Sequence, residues 1–326
     1  MKRKTCLRSN ISVSCIVFIL LFTCAGRVHG QDTSRVFTSD VDHFWEAFDS
    51  VQTVKDTTRQ IAFMQSLYID KGTEGLKLFM KLRRFDAPRL VTAINKYPKF
   101  WASVRENTLK VKPKIPAIET HIREFKALYP DLRPAKLFFT ITAIRAAGTV
   151  RDSLALIGTE IATGNKNTDV SEFPDKRLAN FFRTQSTDNI IPVVVHEYVH
   201  TQQRAEAKIL LGQALHEGAC DFMTELILKE PLMNSYLQYG RENEAALKEA
   251  FRKEMLGEDF SNWLYNGATT KTMGDLGYFM GYTICKSYYR RAKNKSQAIK
   301  DIITLNYGDQ AALMAFLKKS RYYGRI

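Results

Sequence analysis

Between Val41 and Tyr129 apolar residues return every three or four positions. Phe44, Trp45, Phe48 and Val51 make one stripe; Ile61, Met64, Leu67 and Tyr68 make another. That period puts each set on one face of a helix. Pro98, Pro113 and Pro116 interrupt the run, so it predicts several packed helices and not one long rod. The neighbouring Phe100 and Trp101 read as core residues of this bundle. Residues 31 to 40 are polar and are expected to be loose.

The pattern changes after Pro134. Lys136 to Thr142 is short, largely apolar and contains Phe and Thr, which suits a strand. Ala146, Ala147 and Gly148 read as a turn, and Leu154 to Ile161 is a second apolar run that ends near Gly164. Asn165 to Asp188 is polar and reads as a long loop; helical spacing then dominates to the end. The fold expected is α+β and mostly helical, with a small sheet.

The N-terminus has a pattern of its own. Lys2, Arg3, Lys4 and Arg8 precede an apolar stretch from Ile11 to Cys24, and small residues follow as far as Gly30. Basic, apolar and small-residue segments in that order describe a secretory signal peptide over residues 1–30. The apolar part falls short of the ~20 residues a membrane span needs. Export to the periplasm or the exterior is the expectation. Leu21-Phe22-Thr23-Cys24 also loosely resembles a lipoprotein cleavage site, which makes a lipid anchor on Cys24, at an outer membrane, the alternative.

Removing the leader leaves Cys220 and Cys285, too few for a disulfide framework and best read as buried thiols. The chain carries 48 Lys and Arg against 34 Asp and Glu. Five of the basic residues lie in the leader, so the remainder is +9. An excess of that size favours anionic surfaces such as lipid headgroups, and peripheral association with a membrane is compatible with it. The basic residues are spread along helical segments, and no nucleic-acid partner is expected.

The candidate chemistry sits at His196-Glu197-Tyr198-Val199-His200. Residues four apart in a helix lie one above the other, so His196 and His200 can reach a single zinc ion. Glu197 is placed to meet a water at the metal without binding it. Val193, Val194 and Val195 precede the motif and no charge interrupts its middle, as a buried helix with one polar face requires. Asp188 or Asn189 is its candidate cap.

Catalytic zinc takes three protein ligands. Glu217, 17 residues after His200, can return on a second helix if the first ends near Gly212. His216 competes for that place. Asp221, one turn after Glu217, favours Glu217, because it can accept a hydrogen bond from a ligand imidazole and orient it.

HEYVH followed by EGACD resembles the gluzincin class of metallopeptidases, with Glu as third ligand and Asp one turn later. More closely, Leu137 to Tyr323 resembles a family of predicted zinc-dependent proteases and its relatives among gliding-motility lipoproteins. The matching pieces are HEYVHTQQ (196–203), HEGACDF (216–222), LGYFMGYTICKSYY (276–289) and FLKKSRYY (316–323). Gln202 departs from the apolar residue that many zinc-peptidase patterns have there.

The resemblance implies a zincin-like catalytic region over 135–326, with a small sheet packed on the motif helix. Residues 31–134 would form an N-terminal helical region beside it. It also implies that the run from Leu154 to Ile161 is the sheet edge that binds extended substrate by strand addition.

The function expected is hydrolysis of a peptide or protein substrate by a zinc-activated water, with Glu197 as general base. Tyr278 and Tyr282, one turn apart between Gly277 and Gly281, are candidate donors to the oxyanion, and Tyr282 is preferred. The rival reading is a non-catalytic envelope lipoprotein, a component of a surface assembly that retains its zinc site. A purely structural zinc site fits less well, since such sites are closed and rich in Cys.

Overall fold

Helices fill the chain ahead of the sheet: α1 (Ser39–Gln52), α2 (Thr57–Met64), α3 (Glu74–Arg83), α4 (Ala87–Lys96), α5 (Pro98–Leu109) and α6 (Ile115–Leu128). The computed structural model describes Met1 and residues 35–174, 176–183, 190–204, 206–267, 270 and 272–324. The leader expected over residues 1–30, Cys24 included, lies outside these apart from Met1. So do the candidate caps Asp188 and Asn189.

The sequence writes the helix starts. Asp56, Thr73 and Asp86 each accept a hydrogen bond from the backbone N–H three residues on, at 2.8, 3.2 and 3.0 Å. Thr73 is itself held by the buried Asp40 carboxylate at 3.0 and 2.6 Å, which ties α3 to α1. α2 runs on into one π turn, Gln65–Ile69. There Tyr68 is fully buried; its hydroxyl donates to the Ile141 carbonyl at 2.7 Å and accepts from the Ile141 N–H at 2.9 Å. One aromatic thus fastens the helical region to the end of a strand.

The sheet has four strands in the order β1 (Val36–Phe37), β2 (Lys136–Thr140), β4 (Leu154–Gly158), β3 (Gly148–Arg151). β1 and β4 run parallel to β2, and β3 is antiparallel to β4. β2 and β4 are buried along nearly their whole length, as inner strands covered on both faces must be.

Three sequence expectations change here. Residues expected to be loose supply β1. Ala146 and Ala147 lead into a strand, β3, which a two-residue turn at Asp152 and Ser153 joins to β4; Asp152 takes the left-handed backbone (φ 54°) that such a turn demands. The run from Leu154 to Ile161 is an inner strand that passes into the short helix α7 (Thr159–Ala162), so β3 and not this run forms the edge.

β2 ends at Thr140 because the chain then wraps a buried carboxylate. Glu160 Oε1 accepts from the Thr142 N–H and hydroxyl, both at 2.8 Å, and from the Ile144 N–H at 2.9 Å. Ala143 and Ile144 both have left-handed backbones, φ 55° and 61°, in the loop that this carboxylate gathers before β3.

Beyond the sheet come α8 (Arg177–Arg183), α9 (Ile190–His200), α10 (Leu210–Leu228), α11 (Ser235–Glu242), α12 (Glu244–Glu254), α13 (Leu276–Arg291), α14 (Lys295–Ile303) and α15 (Gln310–Ser320). α9 packs on β3 and β4, with α10 beside it and α13 against α10. α10 and α13 meet backbone to backbone. A Cβ on Gly218 would overlap the backbone nitrogen of Tyr282, and one on Gly281 would overlap the carbonyl of Ala214.

From Arg35 onward the chain is one compact unit. Its core runs without a break from Trp45 and Phe79 through Phe139 to Val195, Met223 and Phe279. The boundary near residue 134 is therefore a change of pattern and not of core. No helix of the described residues is long and apolar enough to cross a membrane.

Candidate metal centre

α9 ends at His200 and does not continue towards Gly212, which lies inside α10. The turn between them lays α10 beside α9 and delivers Glu217 opposite the two imidazoles. His200 Nε2 stands 3.1 Å from His196 Nε2 and 3.1 Å from Glu217 Oε2; His196 Nε2 is 3.4 Å from the same oxygen. These three side chains are 16%, 11% and 8% exposed, a small opening onto a buried cluster.

The remaining ring nitrogens fix the protonation. His196 Nδ1 faces Asp221 Oδ1 at 2.9 Å, and the Tyr236 hydroxyl donates to Asp221 Oδ2 at 2.9 Å. His200 Nδ1 faces Gln203 Oε1 at 2.6 Å. The amide orientation of Gln203 follows from its other end, where Nε2 donates to the His216 carbonyl at 2.8 Å and the Tyr307 hydroxyl at 3.1 Å. Both Nδ1 atoms therefore donate. When both imidazoles are neutral, two Nε2 lone pairs and a carboxylate oxygen face one another, an arrangement that a metal cation or a proton on His196 Nε2 relieves.

The spacing suits zinc. Ligand distances of about 2.0–2.2 Å in a tetrahedron place the ligand atoms about 3.3–3.6 Å apart. Asp221 is where the sequence puts it, on the imidazole of His196.

The electrostatics agree. Burial opposes the charge on Glu217, but His200 and His196 outweigh it and hold the carboxyl well below the usual carboxylate range. Burial also opposes charge on His196; Asp221 and Glu217 outweigh it, and its pKa lies well above that of free imidazole. Positive charge is favoured between these groups.

Glu197 lies on the sheet side of α9. A Cβ at Gly148 would overlap its Oε1 and stand 2.6 Å from its Cδ, so the carboxylate rests against the edge strand β3. Among the described residues none donates a hydrogen bond to it. Burial raises its pKa, and His200 and His196 pull it back.

Other candidates crowd the same place: the ligand atoms of His200, His216 and Glu217, and those of His196, His200 and Cys220, lie within 4.8 Å of one another. His216 stacks on His200 with ring centroids 4.6 Å apart, and its Nδ1 is 3.8 Å from Glu217 Oε1, outside the three converging atoms. Burial lowers its pKa. Cys220 is buried with its thiol towards Gln203 Oε1 at 3.5 Å, and burial pushes its pKa well up; Cys285 is buried too.

Tyr282 does not reach the cluster. Its hydroxyl donates to Glu225 Oε2 at 2.6 Å and accepts from Lys286. Glu225 stands eight residues beyond Glu217 on α10, about 12 Å along the axis. Tyrosines nearer the candidate centre include Tyr278, whose ring lies 6.1 Å from that of His196, and Tyr265, whose hydroxyl donates to Glu217 Oε1 at 2.7 Å.

Sequence reasoning missed Gln203, Gln213, Tyr236 and Tyr265. Gln203 is one turn after His200 and Gln213 one turn before Glu217, so helical spacing could have found both. Tyr236 and Tyr265 come from separate segments, without such a signal. Gln202 serves the fold and not the cluster. Buried, it accepts from the Arg133 N–H at 2.8 Å and donates to the Arg133 carbonyl at 3.1 Å, fastening the end of α9 to the approach to β2.

No curated protein and no solved structure matches the chain. A family model does, and it spans the helical region, the sheet and the candidate metal centre together. That model, gliding motility protein GldB, matches residues 38–323, and the chain belongs to this family of gliding-motility lipoproteins.

Proposed function

We propose that this chain is an exported, membrane-associated lipoprotein of a gliding-motility type of surface assembly, and that it carries one zinc ion on His196, His200 and Glu217. The observation that carries the zinc assignment is the convergence of two Nε2 lone pairs and one carboxylate oxygen within 3.4 Å, with both Nδ1 atoms tied to oxygen acceptors. Membership of the lipoprotein family supports export and attachment to a membrane, by Cys24 in the form the leader suggests. The net charge of +9 beyond the leader suits an anionic lipid surface. In this reading the metal fastens α9 to α10 and holds the surface around the opening in one shape.

A second reading is favoured by one observation. Glu197 is not spent on structure: no described residue donates to its carboxylate, and it rests against the edge strand beside the cluster. This supports a zincin-like peptidase. Zinc would supply Lewis-acid polarisation of a scissile carbonyl. Glu197 would accept a proton from the attacking water at its carboxylate and return it to the leaving amine. β3 would align extended substrate, with the Tyr278 ring 6.1 Å from that of His196 and the Tyr265 hydroxyl on Glu217.

Glu197→Gln separates the two. Wild-type protein should hold about one zinc per chain, as a mononuclear site does, and so should this variant, while His200→Ala should lose it. If the first reading holds, cells carrying Glu197→Gln keep surface motility and cells carrying His200→Ala lose it. Peptide turnover by the wild type that falls by about 10²- to 10⁴-fold in Glu197→Gln would overturn it in favour of the peptidase.

A further inference from the structure

Glu217 presents its two oxygens to different surroundings. Oε2 faces the imidazoles of His196 and His200. Oε1 points away from them and accepts from the Tyr265 hydroxyl at 2.7 Å and from Gln213 Nε2 at 3.2 Å. The two donors also bind each other, with Gln213 Nε2 donating to the Tyr265 oxygen at 2.7 Å. A carboxylate oxygen has two in-plane lone-pair directions, and on Oε1 both are engaged.

Tyr265 is not where it is through burial or backbone preference. The residue is 63% exposed, although its hydroxyl is turned inward. Its backbone is left-handed, φ 57°, a conformation that bulky residues avoid. Strain of this kind persists where surrounding contacts over-determine it, and the contacts that the hydroxyl makes are with Glu217 and Gln213.

We infer that Tyr265 and Gln213 are positioning residues that restrict Glu217 to one-oxygen ligation through Oε2, and so keep a coordination position of the metal open to an outside ligand. This rests on the zinc reading above. With Oε1 held back, the three protein ligands leave the metal a fourth place. With Oε1 released, the carboxylate can turn both oxygens to the metal and fill that place itself. The inference holds whether the outside ligand is a substrate carbonyl or a group on a neighbouring protein.

The test uses Co(II) in place of zinc in the chain from residue 31 onward, whose described part from Arg35 is one compact unit. Co(II) absorbs visible light several-fold more strongly in a tetrahedral field than in a five- or six-coordinate one. The wild-type protein should give the strong band, and added azide should shift it. Tyr265→Phe combined with Gln213→Leu should weaken the band several-fold and blunt the azide response, with the metal still bound one per chain. Tyr265→Phe alone should move both readouts in the same direction. A role confined to packing would lower thermal stability without touching the spectrum. A double variant that binds Co(II) with an unchanged band and azide response overturns this inference alone. Wild-type protein that binds neither Co(II) nor zinc overturns the metal reading and this inference with it.

Discussion

Asp221→Asn tests the negative charge behind the proposed metal site. Asp221 is 2% exposed; one oxygen faces His196 Nδ1 at 2.9 Å and the other accepts from Tyr236 at 2.9 Å. Asparagine has nearly the same outline. Its carbonyl oxygen can take the place of Oδ1 and go on accepting from His196. Its amide then faces Tyr236. The contact with His196 survives without the negative charge; Tyr236, which already accepts from Asn234 at 3.0 Å, loses the acceptor for its hydroxyl hydrogen.

That charge makes the imidazole of His196 a stronger donor of its Nε2 lone pair. Loss of such a carboxylate typically costs 10- to 100-fold in metal affinity, about 1.4–2.7 kcal/mol. The upper half of that range is expected here, because the pair is already assembled and almost free of solvent. His200 offers an internal control. Its partner is the neutral amide of Gln203, so Gln203→Met should cost less than Asp221→Asn. Zinc affinity measured by competition with a coloured chelator, with far-UV circular dichroism to confirm folding, reads both variants. A folded Asp221→Asn protein with wild-type zinc affinity would refute the argument that Asp221 acts on the metal through His196.

Two further outcomes follow from the same geometry. Tyr282→Phe should leave zinc affinity unchanged and lower stability by about 1 kcal/mol, the usual worth of a lost hydrogen bond, since its hydroxyl serves Glu225 and Lys286; a drop in zinc affinity without a change in folding would return Tyr282 to the site. Glu160 is fully buried, and burial raises its pKa above the ordinary Glu value. Its protonated form therefore favours the folded state, and stability is lost as pH rises through the raised folded pKa. Glu160→Gln removes that titration, so urea unfolding of the variant should vary less with pH than that of the wild type on the basic side of the ordinary carboxylate range, and equal slopes would refute it.

Helical spacing made much of this molecule legible. The stripes at Phe44–Val51 and Ile61–Tyr68 are buried or half-buried faces of α1, α2 and the π turn, as their period requires. His196 and His200 share a face for the same reason, and Glu217 and Asp221 repeat the logic on the neighbouring helix. Strands were harder. β3 is four residues long and opens with a glycine, so nothing in its period distinguishes it from the turn that Ala146 and Ala147 suggest. The apolar run at Leu154 crosses from strand to helix at Gly158 without any change in polarity, which hid its inner place in the sheet.

β1 is two residues long and exists only because β2 offers it a partner. Tyr265 marks the limit of local reasoning. It sits in an irregular segment, and its meeting with Glu217 is a product of the whole fold. The choice between Tyr278 and Tyr282 failed for a related reason: both lie on the same face of α13, and only the position of Glu225 on another helix draws Tyr282 away.

The contact between Gly148 and Glu197 bears on how relatives of this chain should be read. The carboxylate and the edge strand compete for one small volume, and a single methyl group at position 148 is enough to contest it. Because the opposing atoms are the tip of a flexible side chain, the intruder would displace the acid and leave the strand standing. The metal ligands, on other residues, would be untouched. In the peptidase reading, a side chain at position 148 would displace the general base with HEYVH still spelled in full.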